Sequence, residues 1–134
     1  MSWPSVIVLV SAAQRPTLEG RIRAFELVPD PVTGDERLHW HGYSYCLDLS
    51  GGILTDYEPD ELEQVRTSIG DPYAVYLSCQ SMDAARLFLR DVLPGVDGLV
   101  DTNHFEILPT SDFLTLVNRH PCWDWRRQPS TDLQ

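Results

Sequence analysis

The chain has 134 residues, of which 43% are hydrophobic, so it contains enough apolar material for one domain with its own core. It carries 20 Asp and Glu residues against 10 basic residues, all of them arginine, and its formal net charge is −10. This charge repels the phosphates of nucleic acids and anionic membranes, and it attracts basic proteins. We therefore predict a basic protein partner and exclude nucleic acid and membrane as direct partners.

Three widely spaced cysteines are present, Cys46, Cys79 and Cys122. No CxxC pair occurs, so the sequence supports neither a zinc ribbon nor a thioredoxin-type redox site. We interpret the cysteines as reduced thiols of a cytoplasmic protein. The apolar run at residues 6–10 is too short for a signal sequence or a membrane span. Because it is apolar on both faces, we predict that it is a central, buried strand.

Residues 17–28 allow two interpretations. Leu18, Ile22 and Phe25 follow the spacing of one helix face, whereas Gly20 and an alternation of polar and apolar residues favour a strand. We favour the helix.

Residues 37–49 alternate as a long strand with one partly wet face. After a glycine turn, Ile53 and Leu54 predict a short extended run. A helix then begins near Pro59, with acidic residues in its first turn, and ends at Gly70.

The densest apolar region predicts a strand, a helix and a second strand. The first strand covers residues 73–77, Ser81 caps the helix, Pro94 lies just beyond its end, and the second strand begins at Leu99. With the other elements, this unit predicts an α+β fold. We expect a mixed β-sheet of about five strands with three helices packed on it.

The last predicted helix follows Thr110 or Ser111, either of which is a suitable cap. We assign residues 1–127 to a single α+β domain. Residues 128–134 have the composition of a disordered tail.

An acidic segment, DYEPDELE, places five carboxylates within residues 56–63. One interpretation is that they complement the helix dipole on a solvated face. The other is a docking surface for a basic protein, with a tyrosine as an aromatic anchor. The candidate partner-binding residues in this segment are Asp56, Tyr57, Glu58, Asp60 and Glu61.

Two tryptophans near the C-terminus, Trp123 and Trp125, also allow two interpretations. They either close the core as a lid or form an exposed interface hot spot. On the second interpretation they join the candidate partner-binding residues.

His39 and His41 would share one face of the long strand, a geometry that metal centres use. Further ligands would have to come from elsewhere in the chain, and the candidates are His104, His120, Asp101 and Glu106. No metal motif of fixed spacing is present. We favour a solvated histidine pair without a cofactor, and a small metal-dependent or acid-base enzyme is the alternative.

Asp101 and His104 could form a triad with Ser78 or Cys79, but nothing resembles a nucleophile elbow. A hairpin turn at residues 101–103 is the simpler interpretation.

Three stretches, ILTDYEPDELEQV, GLVDTNHFEILPTSDFL and PCWDW, resemble the small acidic immunity-type proteins encoded beside bacterial polymorphic toxins. In that group a compact α+β domain binds and blocks a partner toxin. The resemblance implies that the acidic segment faces a basic toxin surface. We therefore predict a non-enzymatic, acidic protein-binding module in the cytoplasm.

Overall fold

The computed structural model describes residues 3–133, which form one seven-stranded sheet and four α-helices. The strands are β1 (Ser5–Ser11), β2 (Val28–Pro29), β3 (Glu36–Trp40), β4 (Tyr43–Asp48), β5 (Pro72–Cys79), β6 (Gly98–Asp101) and β7 (Ile107–Pro109). The helices are α1 (Arg15–Arg23), α2 (Pro59–Ile69), α3 (Met82–Val92) and α4 (Thr110–Arg119). The α+β class is confirmed. The expected counts of about five strands and three helices were too low.

The strand order is β2-β3-β4-β5-β1-β6-β7, and every neighbouring pair is antiparallel. The sheet is therefore antiparallel throughout, and the prediction of a mixed sheet was wrong. Strands β5 and β6 run parallel to each other, with β1 between them. Strands β1 and β4 also run parallel to each other, with β5 between them. Two interleaved, split β-α-β units result, the connectivity of the ferredoxin-like motif.

Strand β1 is an interior strand of the sheet, between β5 and β6, and it is buried on both faces, as its sequence predicts. Val6, Val8 and Val10 point to one face, and Ile7 and Leu9 point to the other. The first face is covered by α1, α3 and α4, and it holds the larger core. The second face is covered only in part, by α2 and the 3₁₀ helix Gly52–Asp56.

The helical interpretation of residues 17–28 is confirmed for its first part. Helix α1 begins at Arg15, two residues before the predicted range, and ends at Arg23. It buries Leu18 and Ile22 against the larger core, and the chain then leaves the helix to form the edge strand β2.

Residues 37–49 do not form one long strand, and this prediction was wrong. Strands β3 and β4 are a hairpin in which Trp40 pairs with Tyr43 across a two-residue turn. The turn residues His41 and Gly42 have φ values of 52° and 78°. Two left-handed residues form a type I′ turn, whose twist matches that of paired strands.

The extended run expected at Ile53 and Leu54 is also wrong, since both residues lie in the 3₁₀ helix Gly52–Asp56. Helix α2 follows with Pro59 as its first residue and Gly70 after its end, as predicted. It buries Val65 against the second face of the sheet.

The strand-helix-strand unit is confirmed as β5, α3 and β6. The Ser81 hydroxyl accepts a hydrogen bond from the Ala84 amide at 3.1 Å and caps α3. The expected cap of α4 is wrong, because the helix begins at Thr110 and its cap position is Pro109. The Thr110 hydroxyl instead donates a hydrogen bond to the Val96 carbonyl at 2.6 Å.

The C-terminal residues lie against the sheet. Ser130 donates hydrogen bonds from its amide and its hydroxyl to the Glu106 carboxylate. The segment Ser130–Asp132 is a 3₁₀ helix, and Leu133 packs against the larger core. That residues 128–134 form a disordered tail stays a prediction, and Gln134 lies outside the described residues.

Candidate partner-binding surface

The acidic segment is held in place by the start of α2. Asp56 ends the preceding 3₁₀ helix, Glu58 occupies the cap position, and Asp60 and Glu61 lie in the first helical turn. The Glu58 amide donates a hydrogen bond to the Glu61 carboxylate at 3.1 Å, one half of a capping box. All four carboxylate-bearing side chains are exposed, so the local structure presents them to solvent on a rigid element.

The carboxylates of this segment have no ionic partner within residues 3–133. The ion pairs of the described chain use other acidic residues, namely Glu19, Asp30, Glu36, Asp83 and Asp124. The negative field at the start of α2 is therefore not neutralised by the protein's own arginines, and it is available to an external cation.

Tyr57 is less exposed than its acidic neighbours and has a structural partner. Its hydroxyl donates a hydrogen bond to Asp101 Oδ2 at 2.7 Å. Burial, together with the Asp101 carboxylate, raises the pKa of Tyr57 well above its usual range. Tyr57 thus ties the acidic segment to the end of β6, and its hydroxyl is not free to anchor a partner.

A groove runs between α2 and the β6–β7 hairpin, over the part of the sheet that α2 leaves uncovered. Its larger cavity of about 520 Å³ is lined on one side by Glu61 and on the other by Asp101. A second cavity of about 270 Å³ continues it, and Gln64 and Ile107 line both. We call this feature the α2–β7 groove, and it is defined by Glu61, Gln64, Val65, Leu99, Asp101 and Ile107.

The loop between β6 and β7 projects an aromatic side chain at the mouth of the groove. Phe105 has an exposed fraction of 108% and a φ of 67°, and Asn103 has a φ of 63°. Hydrogen bonds hold the loop: the Asn103 amide donates to Asp101 Oδ1 at 2.8 Å, and the Thr102 amide donates to the Glu106 carbonyl at 3.0 Å. The hydrogen-bonded backbone of the loop therefore directs Phe105 into solvent.

The sequence predicted the turn in this loop but not that the loop exposes an aromatic side chain. The sequence places the hairpin turn at residues 101–103, whereas the loop of the structure extends to Glu106 and includes Phe105. Asn103 was the one sequence signal for a left-handed loop here, because asparagine is enriched at left-handed positions. The opposite wall of the groove was also missed, since Leu99 and Ile107 are close to α2 only through the tertiary fold.

Trp123 and Trp125 are buried, with exposed fractions of 2% and 3%. Their rings lie 5.6 Å apart and both pack on Phe113. Arg86 Nη1 donates a hydrogen bond to the Trp123 carbonyl at 2.6 Å, and the Trp123 indole donates to the Gln128 carbonyl at 2.7 Å. This arrangement agrees with the interpretation of the tryptophans as a lid on the core. Neither ring is available at the surface as an interface hot spot.

His39 and His41 are both exposed, but they do not sit side by side on a strand. His39 Nδ1 lies 2.9 Å from the Ser44 hydroxyl, whereas His41 is in the turn with its ring against Trp40. The spacing argument therefore fails, because it requires an uninterrupted strand. Within residues 3–133, no group of three or more His, Cys, Asp and Glu side chains is arranged to hold a metal ion.

Cys79 and Asp101, two members of the proposed triad, lie on opposite faces of the sheet. Cys79 is fully buried in the larger core, and burial raises the pKa of its thiol. Asp101 borders a cavity on the other face of the sheet, together with Ile7 and Tyr57. Cys79 and Asp101 therefore do not converge, and Cys79 is not an activated nucleophile of this kind.

Comparison of the chain with known protein families, with curated proteins and with solved structures finds no match. None of the helices in the described part of the chain is both long and apolar enough to span a membrane.

Proposed function

We propose that this chain is a non-enzymatic module that binds a basic protein through the acidic segment at the start of α2. The observation that carries the proposal is the set of exposed carboxylates without ionic partners in residues 3–133. The chain's net charge of −10 adds long-range attraction for a basic surface. The binding residues on this surface are Asp56, Glu58, Asp60 and Glu61, with Tyr57 as their support.

The more specific form of the proposal is an immunity protein that neutralises a basic toxin in the cytoplasm. The sequence resemblance to immunity-type proteins supports this form, as does the acidic, compact α+β character of the chain. A toxin inhibitor acts by covering its target, so it needs a complementary surface and no reaction centre.

The test is affinity capture with two charge-reversed variants. Asp56→Arg/Asp60→Arg changes the proposed surface, and neither side chain makes a hydrogen bond within residues 3–133. Asp91→Arg/Asp97→Arg makes the same change in net charge at two exposed positions outside the acidic segment. Tagged forms would be incubated with lysate of the source cells at about 50 mM and about 300 mM salt, which differ about 2.5-fold in screening length.

The proposal expects one basic protein in stoichiometric amount with the wild type and the control variant, released by salt and absent from Asp56→Arg/Asp60→Arg. Equal retention of that protein by both variants would contradict the assigned surface, and the absence of any basic protein would contradict the function. For the toxin form, the captured protein should arrest growth when expressed alone. Co-expression of the wild type should restore growth, and co-expression of Asp56→Arg/Asp60→Arg should not.

A further inference from the structure

The α2–β7 groove has two ends of different chemistry. At one end the carboxylates of Glu61 and Asp101 face each other across the larger cavity, with Glu106 also in its lining. At the other end the lining is mostly apolar and includes Val65, Leu99 and Ile107. A ligand that fills both ends must carry a cation next to an aliphatic group.

Among residues 3–133, no cationic side chain forms an ion pair with the carboxylates of the acidic end. Glu61 and Asp101 accept hydrogen bonds from neutral donors, the Glu58 amide and the Tyr57 hydroxyl. Glu106 accepts from Ser130. These donors orient the carboxylates without cancelling their charge, and no ion pair of the described residues involves them. The uncompensated charge therefore favours a cationic occupant.

Phe105 adds a third element of recognition. Its ring is wholly exposed at the rim of the acidic cavity, and its left-handed backbone is maintained by the hydrogen bonds of its loop. An exposed aromatic face beside carboxylates is a platform on which a guanidinium can stack. Because hydrogen bonds already hold the loop backbone, only the side-chain torsions of Phe105 remain to be ordered on binding.

From these observations, and on the basis of the proposed function, we infer that the α2–β7 groove receives a docking segment of the basic partner. The segment carries an arginine adjacent to an aliphatic residue. The arginine enters between Glu61 and Asp101 and stacks on Phe105, and the aliphatic side chain packs on Leu99 and Ile107. An anionic membrane or a second copy of this chain would bring like charge to the acidic end, so charge complementarity favours the basic peptide segment.

The experiment uses the full chain labelled with ¹⁵N and three blocked pentapeptides as probes. Arg-Leu-Arg-Ile-Arg carries both chemistries, Arg-Ser-Arg-Ser-Arg carries charge alone, and Glu-Leu-Glu-Ile-Glu reverses the charge. Amide shifts are followed during titration, together with the variants Phe105→Ala and Val32→Ala. Val32 is the matched control because it is also highly exposed, at 90%, and lies in a different loop.

We expect Arg-Leu-Arg-Ile-Arg to shift the amides of Gln64, Asn103 and Ile107 and to bind more tightly than the serine peptide. Phe105→Ala should weaken this binding about threefold, the size expected for an exposed cation–π contact. Val32→Ala should leave the affinity unchanged, and the acidic peptide should not bind.

Three results would overturn the inference. If the arginine peptides bind equally, shift only residues 56–61 and ignore Phe105→Ala, the groove is not the docking site, although the acidic surface remains. If no arginine peptide binds at any site, the inference fails and the proposed function loses its electrostatic basis. Binding of the acidic peptide in the groove would likewise contradict the assigned charge complementarity.

Discussion

Phe105 combines a strained backbone with a side chain that contributes no burial to the fold. Left-handed geometry costs a non-glycine residue about 1–2 kcal/mol, whereas the extra chain entropy of glycine costs about 0.5–1 kcal/mol. We therefore expect Phe105→Gly to raise the free energy of unfolding by roughly 0.5–1 kcal/mol. Urea denaturation measures this change.

Val32→Gly is the control for this prediction, since Val32 is exposed and its φ is not positive. It should lower stability slightly, because it adds only chain entropy. A loss of stability in Phe105→Gly would show that the strain is not relieved there. The expected gain would mean that Phe105 is retained at the expense of stability, which is typical of functional positions.

Tyr57 makes stability depend on alkaline pH. Its pKa is raised in the folded state, first by burial and then by the hydrogen bond to Asp101, so the folded protein keeps the phenol proton longer than the unfolded chain. The resulting stability is present below pH of about 10 and is lost as the pH rises above it. Burial also raises the pKa values of Tyr45 and Tyr73, which adds to the same slope.

Tyr57→Phe should therefore flatten, without abolishing, the fall in the free energy of unfolding above pH of about 10. At neutral pH it should cost about 1–2 kcal/mol through loss of the bond to the Asp101 carboxylate. Tyr43→Phe, at a half-buried tyrosine of β4, is the control. Denaturant titrations at several pH values measure both effects, and an unchanged pH slope in Tyr57→Phe would contradict the account.

At the scale of elements, the β3–β4 hairpin depends on two left-handed residues in its turn. His41→Asn should stabilise the protein by about 0.5 kcal/mol, because Asn-Gly is the preferred type I′ pair. Gly42→Ala should destabilise it by about 1–2 kcal/mol, because alanine is strained at positive φ. Thermal or urea unfolding tests the pair, and both effects would have the reverse sign if residues 41 and 42 lay in a continuous strand.

The same hairpin shows what the sequence leaves open. Helices α2 and α3 could be predicted because Pro59, Ser81 and Gly70 mark their ends locally. The turn could not, because His41-Gly42 is a weak variant of the Asn-Gly signal and the alternation of residues 37–49 continues through it. The prediction that His39 and His41 share one strand face was therefore also wrong, because it assumed a continuous strand. Caps are local chemistry, whereas a hairpin register depends on pairing partners.

At the scale of the whole molecule, the sequence predicted the class and the acidic surface but not the groove. Net charge and the carboxylates of residues 56–63 can be read directly from the chain. The groove depends on the position of α2 over β6 and β7, which are about 30 or more residues away along the chain and meet it only in the folded state. The antiparallel sheet was not predicted because strand direction depends on long-range pairing rather than on residue pattern.

A separate consequence of the molecular charge concerns the speed of binding. Long-range attraction between an acidic surface and a basic partner raises the association rate and makes it sensitive to salt, while the dissociation rate depends on close contacts. The most direct measurement is the association rate constant of the captured basic partner by surface plasmon resonance across a salt series. It compares the wild type, Asp56→Arg/Asp60→Arg and Asp91→Arg/Asp97→Arg.

We expect Asp56→Arg/Asp60→Arg to lower the association rate constant about tenfold at low salt and to flatten its salt dependence. The control variant should change the rate much less, although its net charge is the same. Equal effects of the two variants would mean that only net charge matters, and an unchanged rate in Asp56→Arg/Asp60→Arg would contradict the central claim that this surface receives the partner.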